Sequence, residues 1–265
     1  MSTLGSLSPA EEIPVEVCRR IRYVFTDIDD TLTLAGRVPA AAYSAIWAAH
    51  DAGLRVVPIT GRPAGWCDHL ARMWPVAAVV GENGALAFAM EGERMRRIWA
   101  PREPNAPSRL EQIRAEVLAS VPGCKVAADQ RYREYDLAID FCEEVPALDD
   151  AAIDAIVAIF ERHGPVAKVS SIHVNGYFGT HDKLTMCKRC LPELLGEELD
   201  PERAVFLGDS PNDEPMFRFF PHAVGVANLR SFAHRMSALP RYLTRSEGGE
   251  GFAEFLQILL ARRSA

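Results

Sequence analysis

One short segment constrains this chain more than any other: an apolar strand that runs straight into acids. Residues 20–25 read as a strand, and Val24-Phe25-Thr26-Asp27-Ile28-Asp29-Asp30-Thr31-Leu32 carries it into three carboxylates within four positions. Carboxylates this close repel one another, and burial at a strand end disfavours their ionised form. Something must offset the charge. A divalent cation with hard oxygen ligands does so. The alternative is an acidic turn that caps a helix, since Asp suits a helix start. On this segment alone both readings stand.

The surrounding pattern places the segment in an α/β sheet. Residues 39–52 have apolar spacing at Tyr43, Ile46 and Trp47 and a stop at Gly53. Residues 54–59 form a second apolar strand, 64–74 a helix and 76–80 a third strand. Strand, helix, strand, helix, strand with short links predicts a Rossmann-like parallel sheet with helices on both faces. From about Gly84 the rhythm changes. Residues 85–90 and 95–99 read as a hairpin around Glu91-Gly92-Glu93, 107–120 and 148–163 as amphipathic helices, and 124–128, 135–141 and 166–177 as strands. The βα rhythm then returns, with helices over 183–195, 213–220 and 251–262 and strands over 204–207 and 223–227. The predicted organisation is a loose tail over 1–17, an α/β core domain from 18–84 and 179–265, and an inserted α+β cap domain over 85–178.

Three further segments carry polar groups at the ends of strands or the starts of helices. In open α/β sheets, ligands bind at the carboxyl ends of the strands, so remote segments can converge there. Thr60-Gly61-Arg62-Pro63 offers a hydroxyl and backbone N–H groups before a helix, a natural cradle for phosphate. Lys183 opens a helix, where its charge opposes the macrodipole and is better explained by facing acids or phosphate. Gly208-Asp209-Ser210-Pro211-Asn212-Asp213 again follows an apolar strand and brings two acids into a turn. Each segment alone also fits a plain turn, a surface lysine or a capped helix.

Charge and cysteine usage narrow the function classes. With Lys+Arg 29 against Asp+Glu 36, the net charge is −7. That argues against nucleic acid or an acidic membrane as partner, because either needs a basic surface. No apolar stretch approaches the ~20 residues of a membrane span, and no signal peptide is evident. The six cysteines are scattered, which fits a reduced, cytoplasmic compartment. Cys187 and Cys190 have CxxC spacing but lie in a helical pattern with no second pair to complete a zinc site. His69, His222 and His234 lack ligand spacing and read as structural or surface residues.

Taken together, the four segments resemble the motifs of the haloacid dehalogenase superfamily, in the right order. Asp27-Ile28-Asp29-Asp30-Thr31 is similar to the first motif, Thr60 to the second, Lys183 to the third, and Gly208 to Asp213 to the fourth. Leu184 follows Lys183 where many relatives have a small residue. The insertion between the second and third motifs, with Gly81-Glu82-Asn83-Gly84-Ala85 and Gly225-Val226-Ala227-Asn228, resembles the C2-capped, Cof-like class IIB branch. The resemblance implies a phosphatase in which Asp27 is the nucleophile and Asp29 the general acid and base. It implies that Thr60, Gly61, Lys183 and Asp30 hold the phosphoryl group. It also implies that Mg²⁺ lies among Asp27, the Asp29 backbone carbonyl, Asp209, Asn212 and Asp213. The substrate would be a small phosphorylated metabolite, with sugar phosphates favoured by such relatives. Arg62, Asn83, Arg131, Arg133, His173 and Asn175 are candidates for contacts to the leaving group. A phosphomannomutase-like phosphomutase, or a non-catalytic module that binds a phosphate ligand, are the competing readings.

Overall fold

The computed structural model describes residues 7–264. Its centre is a nine-stranded sheet. In chain order the sheet contains β1 (Ser8–Pro9), β2 (Tyr23–Asp27), β3 (Arg55–Ile59), β4 (Val79–Gly81), β5 (Leu86–Glu91) and β6 (Arg94–Trp99). After the insertion, which holds β7 (Lys125–Val126), β8 (Leu137–Asp140), β9 (Val166–Val169) and β10 (His173–Tyr177), it adds β11 (Ala204–Gly208), β12 (Val224–Gly225) and β13 (Tyr242–Leu243). The spatial order is β1-β13-β12-β11-β2-β3-β4-β5-β6. All pairings from β1 to β4 are parallel, and β5 and β6 add an antiparallel edge. This is the mixed α/β architecture that the alternating pattern predicts.

Alternation within the strands feeds two cores. Val24, Val56 and Val205 pack on one face, against Phe252, Phe255 and Leu256 of α8 (Gly248–Ser264). Tyr23, Phe25, Val57 and Phe206 pack on the other, against Met186 and Cys187 of α6 (Lys183–Cys190). Strands buried on both faces read as continuous apolar runs, which is what the sequence shows. Cys187 and Cys190 are both buried in this second core and carry no disulfide. No helix among the described residues is long and apolar enough to cross a membrane.

Two expectations need correction. Residues 7–17 are not loose: β1 pairs with β13, and Ala10, Ile13, Val17 and Cys18 are buried against α8. Spacing of four residues along Ile13, Val17 and Ile21 gives one apolar stripe, and α1 (Val15–Arg20) lays it down. Residues 1–6 of the expected tail lie outside the described residues. The hairpin of β5 and β6 belongs to the large sheet and not to the insertion. Leu86 and Phe88 enter one core while Ala85, Ala87 and Ala89 enter the other, so β5 is covered on both faces.

The rest of the insertion is a smaller antiparallel sheet of order β7-β8-β10-β9. Helices α4 (Ala106–Ser120) and α5 (Asp150–His163) cover one face, burying Leu137, Ile139 and Val174 with Ile113, Ile156 and Phe160. The alternate positions Ala138, Asp140, His173 and Asn175, paired in register across β8 and β10, look the other way, toward the large sheet. Gly176 lies on the helix-covered side, where a Cβ would sit 2.0 Å from the Phe160 ring. His181 wedges in where the insertion rejoins the core. Its ring stacks on Tyr177 at 4.2 Å and meets the Tyr135 edge at 5.6 Å. Neither ring nitrogen has a hydrogen-bond partner among the described residues.

Two outcomes follow from this packing. Gly176→Ala should destabilise the fold by about 1–3 kcal/mol through overpacking against Phe160, read as a lowered urea midpoint. Burial, against the opposing charge of Asp182, pushes the His181 imidazole down to about 4. The folded chain thus refuses a proton that the unfolded chain accepts. The neutral ring's contribution is present above about pH 6.5 and is lost as pH falls toward 4, by up to about 3 kcal/mol. Between pH 7.5 and 4.5 the urea midpoint of the wild type should therefore fall further than that of His181→Phe. Identical acid sensitivity in the two proteins would contradict this.

Candidate active site

The carboxyl ends of β2, β3 and β11 and the start of α6 meet at one point. Asp27 is the last residue of β2, and Asp209 follows β11 directly. Asp27, Asp209 and Asp213 are all buried, and a carboxylate oxygen from each lies within 4.8 Å of the others. The Lys183 ammonium enters from the first position of α6, 2.6 Å from Asp27 Oδ1 and 2.7 Å from Asp213 Oδ1. Asp182 makes this placement possible. Its side chain accepts from Thr185 N at 2.6 Å and caps the helix that lysine would otherwise destabilise.

The remaining bonds separate the three acids. Asp213 is internally satisfied: Oδ1 takes the lysine, and Oδ2 accepts from the backbone amides of Asp209 (3.1 Å) and Ser210 (3.4 Å). Among the described residues Asp209 has only neutral donors, Thr31 Oγ1 at 3.1 Å and Asn228 Nδ2 at 3.1 Å. Burial raises the Asp209 carboxyl well above the carboxylate range, and Asp213 and Asp27 add to the rise. Asp27 is raised to about 8 by burial, with Lys183 opposing and Asp213 and Asp29 reinforcing. Among the described residues, one ammonium serves two of these three buried acids. A divalent cation fits this deficit, since it offsets several carboxylates at once through hard oxygen ligands. Asn212 lies at the edge of the group, its Oδ1 accepting from Ser210 Oγ at 2.9 Å.

The Asp29 carboxylate pairs with Arg62. It accepts from Arg62 Nε (3.0 Å) and Nη2 (2.8 Å). Arg62 also reaches Glu143 at 2.6 Å and Asp129 at 3.5 Å, and its guanidinium lies 4.6 Å from the Trp66 ring centre. His173 Nε2 is 2.9 Å from the other Glu143 oxygen. Burial works to raise the Glu143 carboxyl, but His173 and Arg62 bring it down to about 2. Asp29, Asp30, Arg62, Glu143, Cys142 and Ile172 line a cavity of about 330 Å³ between the two sheets. Asp30 sits there at φ 55, a left-handed conformation that Asp tolerates, with its carbonyl accepting from Asn228 at 2.9 Å.

The Thr60–Pro63 loop closes the other side. Thr60 is fully buried, and its Oγ1 accepts from Arg62 N at 2.9 Å, so the hydroxyl proton is free to donate. Gly61 is in tight quarters: a Cβ there would lie 3.2 Å from Asn83 Nδ2 and 3.6 Å from Asn175 Oδ1. The Asn83 amide nitrogen is buried without a partner. Arg133 is buried between Asp129 (3.0 Å) and Asp136 (3.1 Å) and donates to Gly61 O at 2.7 Å. Asn175 Nδ2 donates to Asp136 at 2.8 Å. Arg131 does not join them. Its guanidinium covers the Tyr132 ring at 4.6 Å and borders a separate cavity of about 670 Å³ with Arg102, Tyr135 and Phe178. Arg133 borders that cavity as well, but its guanidinium reaches the loop at Gly61 O.

Several residues here carry no spacing signal in the sequence. Asp129 is a single acid in a turn, Glu143 looks no different from its neighbour Glu144, and Asn228 and Glu82 stand inside motifs without an evident task. Glu82 is fully buried; burial and the Asp136 charge raise its carboxyl to about 7 against the pull of backbone donors.

No protein-family model matches the chain, and no curated protein matches it. Solved structures do. The chain superposes on the C-terminal domain of Candida albicans trehalose-6-phosphate phosphatase with TM-score 0.74 and 13% identity, covering 98% of this chain and 99% of that one. A HAD/COF-like hydrolase from Plasmodium vivax gives TM-score 0.70 and 17% identity over 94% of this chain and 99% of that one. A HAD subclass IIB sugar phosphatase gives 0.63 and 15% over 89% and 98%. The chain thus has the capped fold of the haloacid dehalogenase superfamily hydrolases, the fold its motifs imply.

Proposed function

We propose that this chain is a magnesium-dependent phosphatase acting on a small organic phosphate monoester through an aspartyl-phosphate intermediate. The observation that carries the reading is the meeting of Asp27, Asp209 and Asp213 with Lys183 at the strand ends, beside a cavity that the cap closes.

The chemistry follows from the residues. Asp27 attacks phosphorus in line and forms an O–P bond while the bond to the leaving oxygen breaks. Asp29 gives that oxygen its proton. It then takes a proton from the water that attacks the phosphoryl group and returns Asp27 to the free carboxylate. Arg62 fixes the direction of the Asp29 carboxylate, and Glu143 shares the same guanidinium from the cap side. The Thr60 hydroxyl, the Gly61 amide and the Lys183 ammonium hold phosphoryl oxygens, with Asp30 at the rim of the cavity. Mg²⁺ would be held by the Asp27 carboxylate, the Asp29 carbonyl and Asp209, with Asn212 and Asp213 around them, and supplies positive charge beside the transferring group. Preorganised charge of this kind is usually the largest contribution to phosphoryl transfer.

A sugar phosphate or related polyol phosphate suits the cavity, whose volume is at the small end of ligand pockets. Glu143 lines it from the cap, with His173 behind it at 2.9 Å, and two of the structural neighbours act on sugar phosphates or are named for them.

Asp27→Asn should lower turnover of an aryl phosphate by more than about a thousandfold, with circular dichroism and Tm near those of the wild type. Near-normal hydrolysis by this variant would exclude Asp27 as the nucleophile. A release assay over sugar phosphates, with Mg²⁺ and with chelator, should yield inorganic phosphate only with the metal. An isomeric sugar phosphate as the product would instead indicate a mutase.

A further inference from the structure

Glu82 belongs to no part of the chemistry described so far, yet it is among the most heavily bonded side chains in the molecule. It is fully buried, and its backbone is held at φ 44. A left-handed non-glycine residue costs on the order of 1–3 kcal/mol, and a buried carboxylate costs more unless it is hydrogen-bonded. The compensation is a set of backbone amides. Oε1 accepts from Ala64 N (2.9 Å) and Glu134 N (2.9 Å), and Oε2 accepts from Tyr135 N (2.6 Å) and Asp136 N (3.4 Å). Successive amides aimed at one anion form a concave binding site, here filled by a side chain of the same protein.

The donors come from two sides. Ala64 is the first residue of α3 (Ala64–Met73), directly behind the phosphate-binding loop, whereas 134–136 is the inserted chain just before β8. Backbone bonds from the same turn reach that loop as well: Glu82 N donates to Arg62 O at 3.1 Å, and Asn83 N donates to Thr60 O at 3.0 Å. The gripped stretch carries Arg133 and Asp136 at its ends, and these reach Gly61 O and Asn175. A closed circuit results, running from the loop through Glu82 to the inserted chain and back to the loop through Arg133.

We propose that Glu82 is the positioning residue that sets the cap in register with the phosphate-binding loop, acting through residues 134–136 and Arg133. It touches no substrate. Its carboxylate fixes where Arg133 stands, and Arg133 in turn fixes the Gly61 carbonyl and with it the adjacent amides that face phosphate. The kinetic consequence rests on the phosphatase reading; the structural consequence does not.

Glu82→Gln tests this with little change of shape, because it turns one acceptor oxygen into an NH₂ group facing N–H donors. The inhibition constant of inorganic phosphate and the KM of an aryl phosphate should rise by about 10- to 100-fold, with kcat changed less. Amides 134–136 should exchange faster with deuterium. Arg133→Met should raise the same constants, and the double variant should be no worse than the poorer single one, because both break one circuit. Wild-type phosphate binding in Glu82→Gln, or losses that multiply in the double variant, would overturn the proposal. If Glu82→Gln does not fold, exchange in the wild type decides: amides 134–136 should be as protected as those of β8, and exposed-loop rates there would overturn it. A wild type that hydrolyses no phosphate ester would defeat the phosphatase reading while leaving the exchange test intact.

Discussion

The Lys183 ammonium, held between Asp27 and Asp213, is the interaction on which the rest of the molecule turns. Asp27 and Asp213 are buried with Asp209 a few ångströms away, and one monovalent cation cannot neutralise all three. Breaking a buried pair by removing one partner typically costs 3–5 kcal/mol, so the lysine cannot be lost cheaply. It can stand there only because α6 begins there, and α6 begins there because Asp182 caps it. The parallel sheet brings the strand ends together, and burial makes their charge a liability that a cation can offset.

A second layer of ion pairs joins cap to core. Arg62 reaches from the Thr60–Pro63 loop to Glu143, and Arg133 reaches back from the inserted chain to Gly61. Each guanidinium is buried and answered by at least two carboxylates, as a desolvated cation requires. Glu82 works in the opposite sense, as an anion answered by amides. The closed arrangement of the two sheets is therefore specified by polar contacts next to the cavity, while each sheet has its own apolar core. Apolar packing makes the two bodies, and the charged groups join the stack of Tyr135 on Trp99 in holding them face to face.

The sequence shows the parallel sheet clearly because its strands are continuous apolar runs ending in Asp27, Thr60 and Asp209. It shows less where a signal is local and its partner is distant. The alternation over 86–99 identifies a hairpin, but nothing in it says which sheet edge it joins. The stripe of Ile13, Val17 and Ile21 is too short to distinguish from a tail. Arg131 and Arg133 look equivalent in a row of Arg, Tyr and Glu, and only the turn between them sends one to Gly61 and the other to Tyr132. Glu143, beside Glu144, and Asp129 are visible only as acids in turns, because their partner Arg62 is more than sixty residues away in the chain. Charge balance across a cleft has no sequence period.

The most direct test of the charge deficit at the strand ends needs no substrate. Thermal unfolding of the wild type should shift upward by roughly 5 °C or more when Mg²⁺ reaches about 100 times its dissociation constant, because a ligand of the folded state alone stabilises it by mass action. Asp209→Asn, which removes the carboxylate that lacks any cationic partner among the described residues, should lose that shift while still folding. A wild-type Tm indifferent to Mg²⁺, or an equal shift in Asp209→Asn, would contradict a divalent cation site built from these acids.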